Sequence, residues 1–309
     1  MRGISKALVS VTLAVTLGTL APRVLSQSKT RSSTLTVVSE PGAVVWIDGI
    51  RFGKTDPSGR LLIKDLGGAR HMVLVRADGF KEASKPITSP QGEVKVGLVK
   101  TADPADLAFQ DAERLVSQER GKAAAAYRKA ISLRPTYTAA YIGLARVLSD
   151  SGDNDGALKA IRDLRRNAPQ NAEAAAVEGR IYRENGDDEK AIAAFKRAIV
   201  IGHGLQPEAY TGLGLLYKER AESAGAAGNF ADETANYNEA TKDLAAALKQ
   251  LSGAPDAIVL YQLLGLVYER QKKFSDALRI YNEFLERFPN SNEASAVRSF
   301  IEQIKKQTP

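Results

Sequence analysis

The spacing of apolar residues changes character once along the chain. Up to about residue 100, short β-branched runs alternate with turn signals. Thr34 to Val38, Ala43 to Ile47, Leu61 to Ile63, His71 to Arg76 and Glu93 to Leu98 read as strands. Asp48-Gly49 between two of them suits a type I′ hairpin, whose central residues both need positive φ. Pro57-Ser58-Gly59, Leu66-Gly67-Gly68 and Asp78-Gly79 mark further turns. The pattern predicts a small antiparallel β-sandwich over residues 33–99. Val99 to Ala102 is then a link, and Asp103 caps a helix with Pro104 at its first position and Asp106 in its first turn.

From residue 103 the apolar positions recur at helical spacing and the helix breakers fall at intervals. Pro135 and Pro169 are 34 residues apart, and His203 stands 34 further on. Tyr261, Leu264, Gly265, Tyr268, Ala277, Tyr281 and Pro289 form one pattern. Tyr210, Leu213, Gly214, Tyr217, Ala240 and Leu244 form another, as do Tyr141, Leu144, Ala145, Leu148, Gly152, Ala157, Ile161 and Pro169. Gly179, Tyr182, Gly186, Ala191 and Phe195 make a third repeat, and Ala112, Ala123, Tyr127, Ala130 and Pro135 a degenerate first one. Period and residue types resemble the tetratricopeptide repeat (TPR). The resemblance implies about five helix pairs stacked into an all-α superhelical solenoid over residues 103–309. A capping helix is expected over residues 292–306, with Ala296, Phe300 and Ile304 inward and Arg298, Lys305 and Lys306 outward. Gly214 to Ala240 exceeds the motif spacing, which places an insertion near residues 221–236, either a docking loop or extended helical arm, or a tolerated surface insertion.

In the β region, Ser39-Glu40-Pro41-Gly42-Ala43, Val45-Trp46-Ile47-Asp48-Gly49, Gly53-Lys54-Thr55 and Arg76-Ala77-Asp78-Gly79-Phe80 resemble a PEGA domain, although Pro41 and Gly42 are adjacent, one residue short of the family turn. The resemblance implies an extracytoplasmic β module with cell-surface or glycan contact. Trp46 is the only tryptophan. It is expected in the core, with sugar stacking as the other reading. His71 has no carboxylate near it in sequence and reads as structural.

The TPR resemblance implies a concave groove lined by the first helix of each pair, which in the family receives protein or peptide partners. Carried over by repeat position, the lining is Ile142, Arg146, Asp150, Ala176, Arg180, Arg183, Thr211, Leu215, Lys218, Val259, Gln262, Leu266 and Arg270. Arg146 and Arg180 hold equivalent places, so they form either a ladder that forks onto carboxylates or surface charges paired with Asp150, Glu184 or Glu219. Gly143, Val177, Gly212 and Leu263 stand where a carboxylate clamp would need Asn, which argues against a chaperone-tail clamp.

Charge narrows the function classes. The formal net charge is +7, with 43 Lys and Arg against 36 Asp and Glu, and the surplus lies before residue 103. The helical region is nearly neutral, which leaves no large basic surface for nucleic acid. There is no cysteine, so disulfides, thiolate metal sites, Cys nucleophiles and a lipoprotein anchor are excluded. Two histidines and no nucleotide-binding, hydrolase or zinc-protease motif point away from an enzyme and from any cofactor. Basic Met1 to Lys6, the uncharged apolar run Ala7 to Leu20 and small residues before Gln27 read as a signal peptide over residues 1–26. No further stretch is apolar enough to span a membrane. The expectation is an exported, periplasmic or secreted, non-catalytic adaptor of the bacterial envelope that gathers protein partners in its groove. The alternative is a wall- or glycan-binding protein whose β module binds an anionic wall polymer or glycan while the repeats act as spacer.

Overall fold

A computed structural model describes residues 34–64, 66, 70–251 and 253–307. The expected signal peptide lies outside these residues. So do Gly67 and Gly68 of one expected turn.

Nine strands among the described residues build the β module: β1 (Thr34–Val38), β2 (Val44–Ile47), β3 (Ile50–Lys54), β4 (Arg60–Lys64), β5 (His71–Arg76), β6 (Phe80–Lys81), β7 (Ala83–Ile87), β8 (Gly92–Lys95) and β9 (Val99–Lys100). They form a three-stranded sheet ordered β4-β1-β8, a four-stranded sheet ordered β3-β2-β5-β7 and the short pair β6-β9. Leu35, Val37, Val45, Ile47, Phe52, Ile63, Val73 and Val75 are buried in its core. One pairing corrects the all-antiparallel expectation, because β8 runs parallel to β1, from Leu35↔Gly92 to Val38↔Lys95. The chain has crossed through the second sheet before it returns, and a crossover of that length permits a parallel partner. β3, β6, β7 and β9 were not anticipated. β7 carries Pro86, which a sheet accepts at its edge, and β7 lies at the edge of its sheet.

The turns follow from residue chemistry. Asp48 (φ 50°) and Gly49 (φ 82°) both adopt the left-handed region that the β2–β3 hairpin requires. At the Pro41-Gly42 turn, the Thr55 hydroxyl donates to the Glu40 carbonyl at 2.6 Å and accepts from the Ala43 amide at 2.9 Å. Buried Thr55 therefore fastens the end of β3 to the turn that precedes β2.

Eleven helices follow among the described residues. They are α1 (Pro104–Leu115), α2 (Arg120–Leu133), α3 (Thr138–Ser149), α4 (Asn154–Asn167), α5 (Ala172–Glu184), α6 (Asp188–Ile201), α7 (Pro207–Ala226), α8 (Phe230–Gln250), α9 (Ala257–Arg270), α10 (Phe274–Arg287) and α11 (Ala294–Gln307). They make five pairs and a closing helix, a TPR-like solenoid. Asp103 caps α1 by accepting from the Ala105 amide at 2.8 Å. Asp153, Asn171 and Asn229 cap α4, α5 and α8 in the same manner. Glycines set the spacing between helices. A Cβ on Gly143 would meet the Tyr127 ring, one on Gly214 would meet Leu244, and one on Gly265 would meet Tyr281. Phe195 is gripped twice, by Gly179 of its own pair and by Gly212 of the next. Buried Glu178 is held by Arg165 at 3.2 Å and Arg197 at 2.6 Å, so its charge is compensated.

Of the loop and helical-arm forms expected for the insertion, the structure has the helical one. It lengthens α7 to 20 residues and α8 to 21, and the two meet at a turn through Gly228 and Asn229. The stretch is rich in Ala, which favours helix continuation. In the closing helix, Ala294, Val297, Ile301 and Ile304 face inward and Phe300 stacks on Tyr281 at 5.7 Å. Ala296 is exposed, correcting its expected inward placement. The apolar stripe passes through Val297, one position on, where the larger side chain buries more area.

The β module is joined to the solenoid on two sides. β6 pairs with β9, and the Thr101 amide donates to the Gly79 carbonyl at 2.9 Å, so the expected link is itself paired backbone. On α1, the Gln110 side-chain amide donates to the Phe80 carbonyl at 2.7 Å and its oxygen accepts from the Gly79 amide at 2.8 Å. At the far end, Gly253 in the α8–α9 turn approaches the Lys64 carbonyl so closely that a Cβ there would lie 2.6 Å from it. The β core and the α8–α11 core form one continuous apolar cluster.

Candidate functional site

Strand alternation decides which residues the four-stranded sheet shows to the helices. Val45, Ile47, Val73 and Val75 point into the β core, which turns Val44, Trp46, Leu74 and Arg76 to the opposite face. That corrects the expected core placement of Trp46. Its ring faces the helices and carries the Arg76 guanidinium 4.9 Å from its centroid, and the same guanidinium lies 5.1 Å from the Phe109 ring on α1. An arginine between two rings, also bonded at 2.7 Å to Glu82, joins sheet to solenoid. One face of the Trp46 ring, on which sugar stacking would depend, is thus covered by the chain itself.

Between this sheet face and the inner helices lies a cavity of about 890 Å³. One wall comes from α1, α3, α5, α7 and α9. The other is the sheet, through Trp46, Asp48, Gly49, Ile50, Arg51, Leu74 and Arg76. Of the positions expected in the groove, Ile142, Arg146, Arg180, Arg183, Thr211, Leu215 and Val259 line this cavity. Asp150 is brought to it indirectly, 3.4 Å from Arg180. Ala176 is fully buried among the helices and offers no surface, since its side is where α5 meets its neighbours. Lys218, Gln262, Leu266 and Arg270 lie outside the cavity lining, and Lys218 is bonded to Glu222 at 2.8 Å.

The electrostatics separate the expected arginine ladder into two kinds of group. Arg146 is engaged by Glu208 at 3.0 and 2.5 Å and by Glu173 at 3.4 Å. Desolvation works against its charge, but Glu208 and Glu173 more than offset it and hold its pKa above the ordinary value. Arg180 has only long contacts, 3.4 Å to Asp150 and 3.7 Å to Glu184. Arg183 reaches Glu219 at 3.2 Å. Nε and Nη2 of Arg180 and Nε of Arg183 are buried with no hydrogen-bond partner. Elsewhere on the rim, Tyr127 donates to Glu113, and burial, reinforced by that carboxylate, pushes the phenol pKa up.

Sequence reasoning found the helical wall and missed the sheet wall together with Glu173, Leu205 and Glu208. A signal was present. Val44-Val45-Trp46-Ile47 and Met72-Val73-Leu74-Val75 are apolar at consecutive positions, the mark of strands covered on both faces. His71, read as having no carboxylate near it in sequence, lies 2.7 Å from Asp48 at the end of the β2–β5 pairing. Among the described residues, no cluster of three His, Asp or Glu is arranged to hold a metal ion. No described helix is long and apolar enough to cross a membrane.

Comparisons agree with the geometry of the helices. Residues 142–210 and residues 260–291 each match a tetratricopeptide repeat family model. Yeast Tom70 shares the solenoid fold at 18% identity and a TM-score of 0.53, over 67% of this chain and 41% of that one. The chain thus spans about two fifths of Tom70. MamA (19% identity, TM-score 0.43, 63% of this chain and 96% of that chain) also matches. So does a thermophilic TPR protein of Thermus thermophilus (18% identity, TM-score 0.47, 65% of this chain and 98% of that chain). No curated protein matches the chain. Those two stretches carry tetratricopeptide repeats and the helical part is a TPR-like solenoid; repeats of this kind generally serve as protein-interaction scaffolds and are typically non-catalytic.

Proposed function

We propose that the protein is an exported, non-catalytic adaptor of the bacterial envelope that gathers a protein partner on the inner surface of its repeat array. The observation that carries this reading is the convergence of inner-helix side chains from α3, α5, α7 and α9 on one cavity, at positions assigned from the repeat pattern. Exposed Val259 and Leu205 give that surface apolar area to bury, and the arginines of α5 give it polar anchors. The basic-then-apolar pattern of residues 1–26 supports export. The ordered match to the PEGA pattern supports an extracytoplasmic β module, here acting as a partner of the array.

A photo-crosslinking amino acid placed in the full chain tests the reading. At Val259, on the inner surface, we expect a discrete crosslinked partner protein. At Val200, more exposed than Val259 and on the second helix of its pair, we expect none. Equal yields at both positions, or crosslinks from Val200 alone, would contradict it.

A further inference from the structure

The cavity has two walls contributed by different parts of the chain, and the charges on those walls are unevenly satisfied. We propose that the space between the four-stranded sheet and the inner helices is a composite site for an extended peptide segment that is acidic and aliphatic. The proposal rests on the adaptor reading and gives its site a second wall and its partner a chemistry.

Shape argues for an extended chain. At about 890 Å³ the space sits near the top of the range for small-ligand sites, yet its lining runs from Phe109 on α1 to Leu260 on α9. A compact metabolite would touch one or two helices of such a row. An extended segment can follow all of them and present side chains alternately to the two walls. The walls suit aliphatic side chains on both sides, with Leu205, Leu215 and Val259 on the solenoid facing the sheet that carries Leu74.

Charge argues for acidity. Of the wall carboxylates, Glu173 and Glu208 are spent on Arg146, Glu113 accepts from Tyr127, and Asp48 is held by His71 and the Met72 amide. Among the described residues of the lining, only the carboxylate of Asp256, at the α9 end, lacks such an engagement. Among the cations, Arg146 is saturated and Arg76 is fixed between its two rings and Glu82. Three remain undersatisfied. Arg180, in long ion pairs with Asp150 at 3.4 Å and Glu184 at 3.7 Å, and Arg183, bonded to Glu219 at 3.2 Å, still keep buried guanidinium nitrogens with no hydrogen-bond partner, and exposed Arg51, on the sheet wall, has no ion-pair partner among the described residues. Buried donors without acceptors are uncommon in folded proteins, and a carboxylate from a bound segment would complete them. Arg180 and Arg183 on one wall and Arg51 on the other offer a bound acidic segment cationic partners on both sides.

The test is selection of a phage-displayed library of random linear peptides on the immobilised full chain, followed by fluorescence anisotropy of the enriched peptides. We expect enrichment of Asp or Glu among aliphatic residues. Binding should fall about tenfold or more in Arg180→Ala/Arg183→Ala and, independently, in Arg51→Glu, a surface change on the sheet wall that leaves the fold intact by circular dichroism. Enriched acidic peptides that bind equally well to Arg51→Glu would overturn the two-walled site while leaving the groove reading in place. Enrichment of basic peptides would overturn the assigned chemistry, and no enrichment at all would overturn the proposal. The photo-crosslinking result at Val259 bears separately on whether the groove engages a protein.

Discussion

Gly265→Leu is expected to destabilise the last two repeats by about 3 kcal/mol. Any Cβ at this position would lie 2.2 Å from Cε1 of Tyr281 and 2.4 Å from Cζ. Tyr281 cannot move aside easily. It is 1% exposed, its hydroxyl donates to Glu269 at 2.6 Å, and Phe300 of the closing helix stacks against it. The added side chain must therefore push α9 and α10 apart and disturb the seat of α11. Repeat arrays lose stability locally, because each unit touches mainly its neighbours. Urea unfolding followed by hydrogen exchange should show amides of α9 to α11 losing protection first. Gly121→Ala is the matched control. Nothing lies within 4 Å of a Cβ at Gly121, in the first turn of α2, so relief of glycine's backbone freedom should raise stability by about 0.5–1 kcal/mol. Unchanged protection in Gly265→Leu would mean that the helices are not in the contact described.

Phe195→Ala is expected to cost about 3–5 kcal/mol, within the range for deleting a fully buried aromatic ring. Phe195 is 1% exposed. A Cβ on Gly179 would meet its Cδ1 at 2.6 Å, and one on Gly212 would meet its Cζ at 2.2 Å. The ring thus fills a slot shaped by the absence of two side chains, and its loss opens a void between the third and fourth pairs, just behind the groove. The slot also predicts the form of rescue. Gly212→Ala alone should destabilise, because the added methyl collides with the ring. Added to Phe195→Ala, it should recover part of the loss by filling the void. Chemical denaturation of the four chains checks this as a double-mutant cycle. Additive losses would place the ring elsewhere.

Much of the architecture was readable because repetition amplifies weak signals. One Gly beside an aromatic says little, but Tyr141-Leu144, Tyr210-Leu213-Gly214 and Tyr261-Leu264-Gly265 at matching offsets define the helix pairs and the face that each turns inward. The Asp48-Gly49 hairpin was equally legible, since few residue pairs accept two consecutive positive φ values. The parallel placement of β8 was not, because local pattern carries no information on which strand a returning segment joins. The form of the insertion was legible only as a choice between a loop and a helical arm, and it is the helices of the pair that are extended.

The candidate site was legible by halves. Arg180, Arg183, Thr211 and Val259 could be assigned from repeat register alone. Trp46, Arg51 and Leu74 could not, because what faces them depends on how the β module sits against the helices. The Gln110 bonds to Gly79 and Phe80, the stacking of Arg76 on Phe109 and the approach of Gly253 to Lys64 fix that placement. Each is a pairing between residues distant in sequence, made by groups that are unremarked polar or glycine positions when read singly.

The two-walled site requires the sheet to lie across the inner surface of the solenoid. The chain has no cysteine, so two introduced at exposed Arg51 and Val259 can be spin-labelled without background and the distance between them measured by pulsed electron resonance. One narrow, short distance, unchanged by dilution and broadened by Gln110→Ala combined with Arg76→Ala, is the predicted result. A broad distribution reaching long separations in the unmodified background would mean that the β module swings free of the groove, and the two-walled site would not exist.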